Sequence, residues 1–198
     1  MLLKPSNLIA KTQAAAVVES DSKQQPAVIV ANDAANAFAD DITKTLIKSI
    51  GELQKGKTTH YYSYGNFNLV RLLIHVLKQT GPAHIFMTSY SFSQASIEQL
   101  LNYRQKGSIL SFRLIVDNRV KTMSPIPFQM LSTAFDYRCT SIHAKVALIW
   151  NDSWNISIVT SQNATDNPKM ERGTIFTDIE TFNFDKNALE NEFQRGTA

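Results

Sequence analysis

The stretch Ile142–Glu171 reads IHAKVALIWNDSWNISIVTSQNATDNPKME, and the reading of the whole chain turns on it. His143 and Lys145 stand two apart at the head of a run rich in Val, Ile and Leu, which is the composition of a β-strand. Alternate residues of a strand share a face, so this spacing sends imidazole and ammonium into the same space. Asn151-Asp-Ser-Trp154 is a turn-forming cluster and Asn155–Thr160 is a second apolar run; together they predict a hairpin. Such a hairpin returns Ser161 and Asn163 beside the start of the first strand, with Glu171 further on. Imidazole, ammonium, hydroxyl, amide and carboxylate then gather at one end of a sheet. Groups of these types can hold a phosphate and attack it without a metal.

These residues resemble the HKD signature of the phospholipase D superfamily, in which His-x-Lys is followed by an Asp and a return strand ends in Gly-Ser-x-Asn before a later acidic residue. His143, Lys145, Ser161, Asn163 and Glu171 match that order. Trp150 stands where the signature has Asp, Thr160 stands where it has Gly, and the return to Ser161 is somewhat longer. The resemblance covers roughly Thr58 to Glu190. It implies an α/β fold, a mixed β-sheet flanked by helices, and a phosphohistidine chemistry.

The upstream sequence agrees. Ala83–Phe92 has a strand's apolar and aromatic content, and Ser93 is placed to cap a helix over Gln94–Lys106 with Gly107 as its stop. Ile97, Leu100, Leu101 and Arg104 recur at helical spacing, and Ile109–Val116 returns as a strand ending at Asp117-Asn118. Before these come a strand over Thr59–Tyr64 and a helix over Phe67–Gln79. After them come a short helix over Phe128–Phe135, a strand near Gly173–Thr177 and a final helix over Asp185–Gln194. A further helix is expected to open at Asn32 or Asp33 and run through Leu53, with Phe38, Ile42, Leu46 and Ile50 along one face. Residues 1–26 read as an N-terminal segment, either a mobile arm or a strand packed on a neighbour, and 27–198 as a single domain.

Composition bounds the function. A chain of 198 residues with 43% hydrophobic content can bury one substantial core. It has no run of about twenty apolar residues, so no membrane span is expected. The N-terminus lacks a secretory pattern, and a single cysteine, Cys139, fits a reducing compartment; the location expected is cytoplasmic. The formal charge of +3 permits a polyanionic partner without demanding one. None of the other histidines, His60, His75 and His84, has ligand spacing with another, and neither metal nor cofactor is expected.

Diester cleavage with a histidine nucleophile needs a second acid across the phosphate, because the attacking imidazole cannot protonate the leaving oxygen on the opposite side. The resemblance implies two HKD motifs for these roles, and this chain carries one. A two-fold homodimer with both copies of His143 at one composite site supplies the second. In that site Lys145 and Asn163 bind non-bridging oxygens, Ser161 orients lysine or phosphate, and Glu171 accepts the imidazole N–H. Arg113, Arg119 and Arg138 are candidate contacts to a nucleic-acid backbone. The cluster Tyr61, Tyr62, Tyr64 and Phe67 is open to two readings, base stacking or core. Three functions stay open: an endonuclease for DNA or RNA, a phospholipid or small phosphodiester hydrolase, and a catalytically inactive nucleic-acid-binding scaffold.

Overall fold

The structure, a computed structural model, describes residues 51–198, Leu46 and Ile50, and the backbone of 27–31 and 36–38. Its strands are β1 (Ala27–Ala31), β2 (Asn36–Phe38), β3 (Thr58–Tyr64), β4 (Ala83–Ser89), β5 (Ile109–Asp117), β6 (Asp136–Thr140), β7 (Val146–Trp150), β8 (Asn155–Thr160) and β9 (Met170–Phe176). The helices are α1 (Leu69–Thr80), α2 (Gln94–Gln105), α3 (Val120–Met123), α4 (Pro125–Ala134) and α5 (Ile179–Arg195). The strands form one nine-stranded sheet in the order β2-β1-β3-β9-β8-β7-β4-β5-β6. It is mixed: β4–β5 and β5–β6 pair in parallel, and the other neighbours are antiparallel.

Local chemistry sets the helix ends. Asn68 caps α1 by accepting from the Arg71 N–H at 3.0 Å, and Ser93 caps α2 by accepting from the Ser96 N–H at 3.2 Å. Gly107 follows α2 with φ +72°, a conformation that favours a residue without a Cβ. Pro125 starts α4, three residues before the expected Phe128, because its missing N–H would be unsatisfied there in any case.

Each side of the sheet has its own helices. On the inner side α1, α2 and α4 bury Leu72, Leu73, Ile97, Leu100 and Leu131 against Ile85, Met87, Ala147, Ile149 and Ile158. On the outer side α5 buries Phe182, Leu189 and Phe193 against Phe86, Ile115, Val146 and Leu148. The expected α/β architecture with a mixed sheet flanked by helices is what the chain adopts.

Several expectations need correction. Asn36–Phe38 pairs antiparallel with β1, so the helix expected through Leu53 does not include these residues, and Phe38 lies in a strand. Leu46 and Ile50 are helical and buried as expected, while Ile42 and the segment 1–26 lie outside the described residues. The final helix begins at Ile179, capped by Asp178, rather than at Asp185. Strands β1 and β6 carry no expectation from the sequence. For β6 the reason is physical: Asp136-Tyr-Arg-Cys-Thr140 lacks apolar alternation and pairs only with β5 among the strands.

Candidate active site

The polar residues of the hairpin collect where β4, β5 and β6 end and where β7 begins. Ligands in open α/β sheets favour the carboxyl ends of parallel strands. His143 and Lys145 stand just before the ladder instead of inside it, since β7 starts at Val146. Thr88, fully buried at the end of β4, fixes this entry segment: its hydroxyl donates to the Ala144 carbonyl at 2.7 Å and accepts from the Val146 N–H at 3.0 Å. On the other side the Thr160 N–H donates to the Lys145 carbonyl at 3.0 Å. The backbone carrying both residues is therefore held from two strands.

The two side chains meet as their spacing predicts. Lys145 Nζ lies 3.2 Å from His143 Nδ1 and 3.3 Å from Nε2, and it donates to the His143 carbonyl at 2.7 Å. Lys145 is only 6% exposed, and burial lowers its pKa, partly offset by the Glu171 carboxylate. No salt bridge to it is present among the described residues. His143 is exposed at the mouth of a cleft of about 250 Å³ bounded by His143–Val146 and Val159–Ser161.

The return strand brings Ser161 to the cleft, while Asn163 and Glu171 line a neighbouring recess with Asn68 and Asn167. Ser161 donates to one Glu171 oxygen, and Asn167 Nδ2 donates to the other at 2.7 Å. Both carboxylate oxygens are thus engaged by their own neighbours, and no hydrogen bond joins Glu171 to His143; the expected imidazole acceptor is here an anchor for Ser161. The Asn163 carbonyl receives the Leu69 N–H at 3.2 Å, tying the loop to α1. Its side-chain oxygen is buried without a partner among the described residues.

Thr160, where the resemblance has Gly, joins a buried network: the Tyr61 hydroxyl lies 3.0 Å from its Oγ1 and 2.9 Å from Gln162 Oε1. Burial holds the Tyr61 phenol well above its ordinary pKa, so it stays a donor. Gln162 Nε2 donates to the Phe67 carbonyl at 2.6 Å, completing a chain of contacts behind Ser161. Trp150, in place of the motif Asp, sits at the far end of β7. It stacks on His84 at 5.5 Å and packs near Phe182 at 6.0 Å, under the Lys186 ammonium.

The candidate cations divide. Arg113 is taken by a bidentate pair with Glu190 and lies 4.3 Å over the Phe86 ring; Arg138 bonds Asp136 and lies 4.6 Å over Phe193. Both pack with the outer-side core beside α5, so the structure does not bring them to the cleft. Arg119 comes nearer to His143, through Tyr90. Its Nε donates to Asp117 at 2.8 Å, and its guanidinium lies 4.7 Å over Tyr90, whose ring is 5.3 Å from that of His143. Asp117 also accepts from the Ile142 N–H at 3.3 Å, linking Arg119 to the segment that leads into His143. Thr88 and Tyr90 carry no expectation from the sequence, although polar residues at the carboxyl end of an apolar strand are the signal that marks them.

His60 and His84 bond Thr174 and Ser111 at 2.9 and 2.8 Å, and His75 is buried in α1 beside Gln79. Among the described residues, no group of three or more His, Cys, Asp or Glu is placed to hold a metal. No described helix is long and apolar enough to cross a membrane.

Neither a family model nor a curated protein matches the sequence. Solved structures match its shape. Nuc from Salmonella typhimurium, a phospholipase D family member, aligns with a TM-score of 0.50 at 16% identity over 64% of this chain and 89% of that one. NucT from Helicobacter pylori gives 0.54 at 14% identity over 71% and 99%. A polyphosphate kinase from Porphyromonas gingivalis gives 0.54 at 15% identity over 71% of this chain, which spans 26% of the kinase.

Proposed function

Starting from the phospholipase D fold that the chain adopts, we propose that it is a metal-independent phosphodiesterase, an endonuclease that cleaves DNA or RNA through a phosphohistidine intermediate in a homodimer. The observation that carries this reading is the Lys145 ammonium, 6% exposed and without a salt-bridge partner among the described residues, beside an exposed imidazole. Burying a cation without a counter-ion is costly, so a group held this way favours an anion in the adjoining cleft. A phosphate entering there meets the cation and the nucleophile together.

In this mechanism a ring nitrogen of His143 attacks phosphorus, and the bond from phosphorus to the leaving oxygen breaks in line with the attack. The proton for that oxygen comes from the imidazolium of His143 of the partner subunit. Water then attacks the phosphohistidine with the partner's His143 as base, releasing the second product and restoring the first imidazole. Lys145 and the Asn163 amide hold the non-bridging oxygens throughout. Ser161, fixed by Glu171, lines the cleft on the side of the return strand.

Labelled DNA, RNA and phospholipid vesicles are incubated with the protein in excess chelator, beside His143→Ala. The expected result is chelator-resistant nucleic-acid cleavage, reduced roughly 10⁴-fold or more in the variant, as for loss of a covalent nucleophile. Lipid turnover alone would assign a phospholipid hydrolase, and binding without turnover an inactive scaffold. Light scattering tests the dimer.

A further inference from the structure

The outer side of the sheet is covered unevenly. Helix α5 packs over β6, β7 and β8. Beyond it, on the same side of β9 and β3, Met170 and Arg172 are exposed and Tyr62 and Tyr64 half-buried, while Thr174 is buried. The registers show which side chains occupy it. Tyr62 stands opposite Arg172, Tyr64 opposite Met170, and His60 opposite Thr174, whose other neighbour is Val159. Tyr61 and Phe67, 5.6 Å apart, go to the inner core, so the aromatic cluster of the sequence splits between the two sides.

We propose that this face is a platform for single-stranded nucleic acid leading to the cleft; the proposal rests on the phosphodiesterase reading and names its substrate class. Chemistry and continuity both favour that occupant. Tyr62 and Tyr64 are half-buried rings two residues apart on one strand, about 6.6–6.8 Å along it, so each presents a surface to a different base. Arg172 is exposed beside Tyr62 and makes no ion pair among the described residues, which suits a phosphate next to a stacked base. Exposed apolar surface continues through Met170, 60% exposed, and Val159, 39% exposed.

The platform runs directly into the site. Val159 also lines the cleft that holds His143, and the Arg172 backbone exchanges hydrogen bonds with Ser161: the Ser161 N–H donates to the Arg172 carbonyl at 2.9 Å, and the Arg172 N–H to Ser161 Oγ at 3.0 Å. A strand lying on Tyr64 and Tyr62 would therefore reach the cleft by crossing β9 at Arg172 to Ser161. A duplex keeps its bases paired and cannot stack them on these rings, so the face selects single strands.

The test measures binding of fluorescein-labelled oligo-dT and oligo-U, with a duplex of equal length, to His143→Ala protein carrying Tyr62→Ala and Tyr64→Ala. The double substitution is expected to weaken single-strand binding about 30-fold or more and to leave duplex binding little changed. Leu at both positions keeps apolar bulk without a ring and should lose affinity likewise, while Phe at both should retain it. Arg172→Ala should lower the salt dependence by about one unit of slope. In protein with His143 intact, the double Tyr variants should still hydrolyse bis(p-nitrophenyl) phosphate at the unsubstituted rate, which also shows that they fold. Unchanged single-strand affinity in the double Ala variant overturns the platform. So does conversion of a dimer to a monomer, since the face would then belong to a second copy. Loss of oligonucleotide affinity in a protein inert toward the small diester would keep the platform and remove the hydrolase reading instead.

Discussion

At one end of the β7–β8 hairpin, a nearly buried ammonium lies 3.2 Å from an exposed imidazole, and the backbone beneath them is fixed by Thr88 and Thr160. At the other end, Trp150 is clasped between His84 and Phe182, and the turn closes on itself: Asn151 Oδ1 accepts from the Ser153 and Trp154 N–H groups at 2.9 and 3.0 Å. Asn151 Nδ2 also reaches the Thr80 and Pro82 carbonyls at 3.0 Å, joining the turn to the end of α1. The same two strands thus connect a polar end held by hydrogen bonds to Thr88 and Thr160 and an end held by stacking and by a turn that Asn151 ties to α1. The departures from the signature that the sequence resembles fall at both ends: Trp150 belongs to the stacked end, and Thr160 to the polar end, where it joins the Tyr61 and Gln162 network.

Substitutions at the two ends should therefore differ in kind. Lys145→Met keeps most of the stem and removes the cation; turnover of a chromogenic diester should fall about 10²–10³-fold, comparable to loss of an oxyanion donor. A smaller loss would mean that the polar end works without its charge. Thr88→Val removes both clamps on the entry segment while keeping the shape. A fall of about 10–10² in kcat with little change in KM is expected from the misplaced imidazole, with recovery in Thr88→Ser. An equal loss in both Thr88 variants would show packing alone to be at stake.

The pH profile sharpens the same contrast. Lys145 stays protonated below its pKa and loses its charge as pH rises through it. Because burial lowers that pKa, the alkaline fall in activity should begin below the ordinary lysine value of 10.5. In Lys145→Arg, whatever activity remains should lack that limb, since a guanidinium keeps its proton there. The smallest effect on turnover is expected from Trp150→Asp, which installs the motif residue: activity within about threefold, but urea unfolding showing a loss of about 2 kcal/mol from the forfeited ring contacts. A large gain in activity would show that the far end had been limiting the chemistry.

Two apolar runs separated by the Asn151–Trp154 turn cluster locate the hairpin, and the His-x-Lys spacing the meeting of His143 with Lys145, because those depend on neighbours in sequence. Partners set by packing were not legible. Nothing near Glu171 in the sequence shows that Asn167 and Ser161 occupy its oxygens, and nothing near Arg113 shows Glu190, which stands across the α5 interface. Thr88 lies in β4 and Tyr90 just beyond it, and the ladder partner β7 lies far along the chain, so their contacts with the 142–146 segment arise only once the sheet forms. The Asn32–Leu53 expectation failed for a related reason: steps of four suggested one helix, but its first part pairs as β2.

A Cβ built on Gly173 would come within 2.2 Å of the Tyr61 hydroxyl, which is itself buried against Thr160 and Gln162. That hydrogen atom on Gly173 is therefore a vote cast for the shape of the Ser161 loop from inside the protein. A mutational scan read by activity alone would flag position 173 as though it took part in the reaction. Its contribution is emptiness: any larger residue there evicts the phenol, and the disturbance surfaces one strand away, at the lip of the His143 cleft.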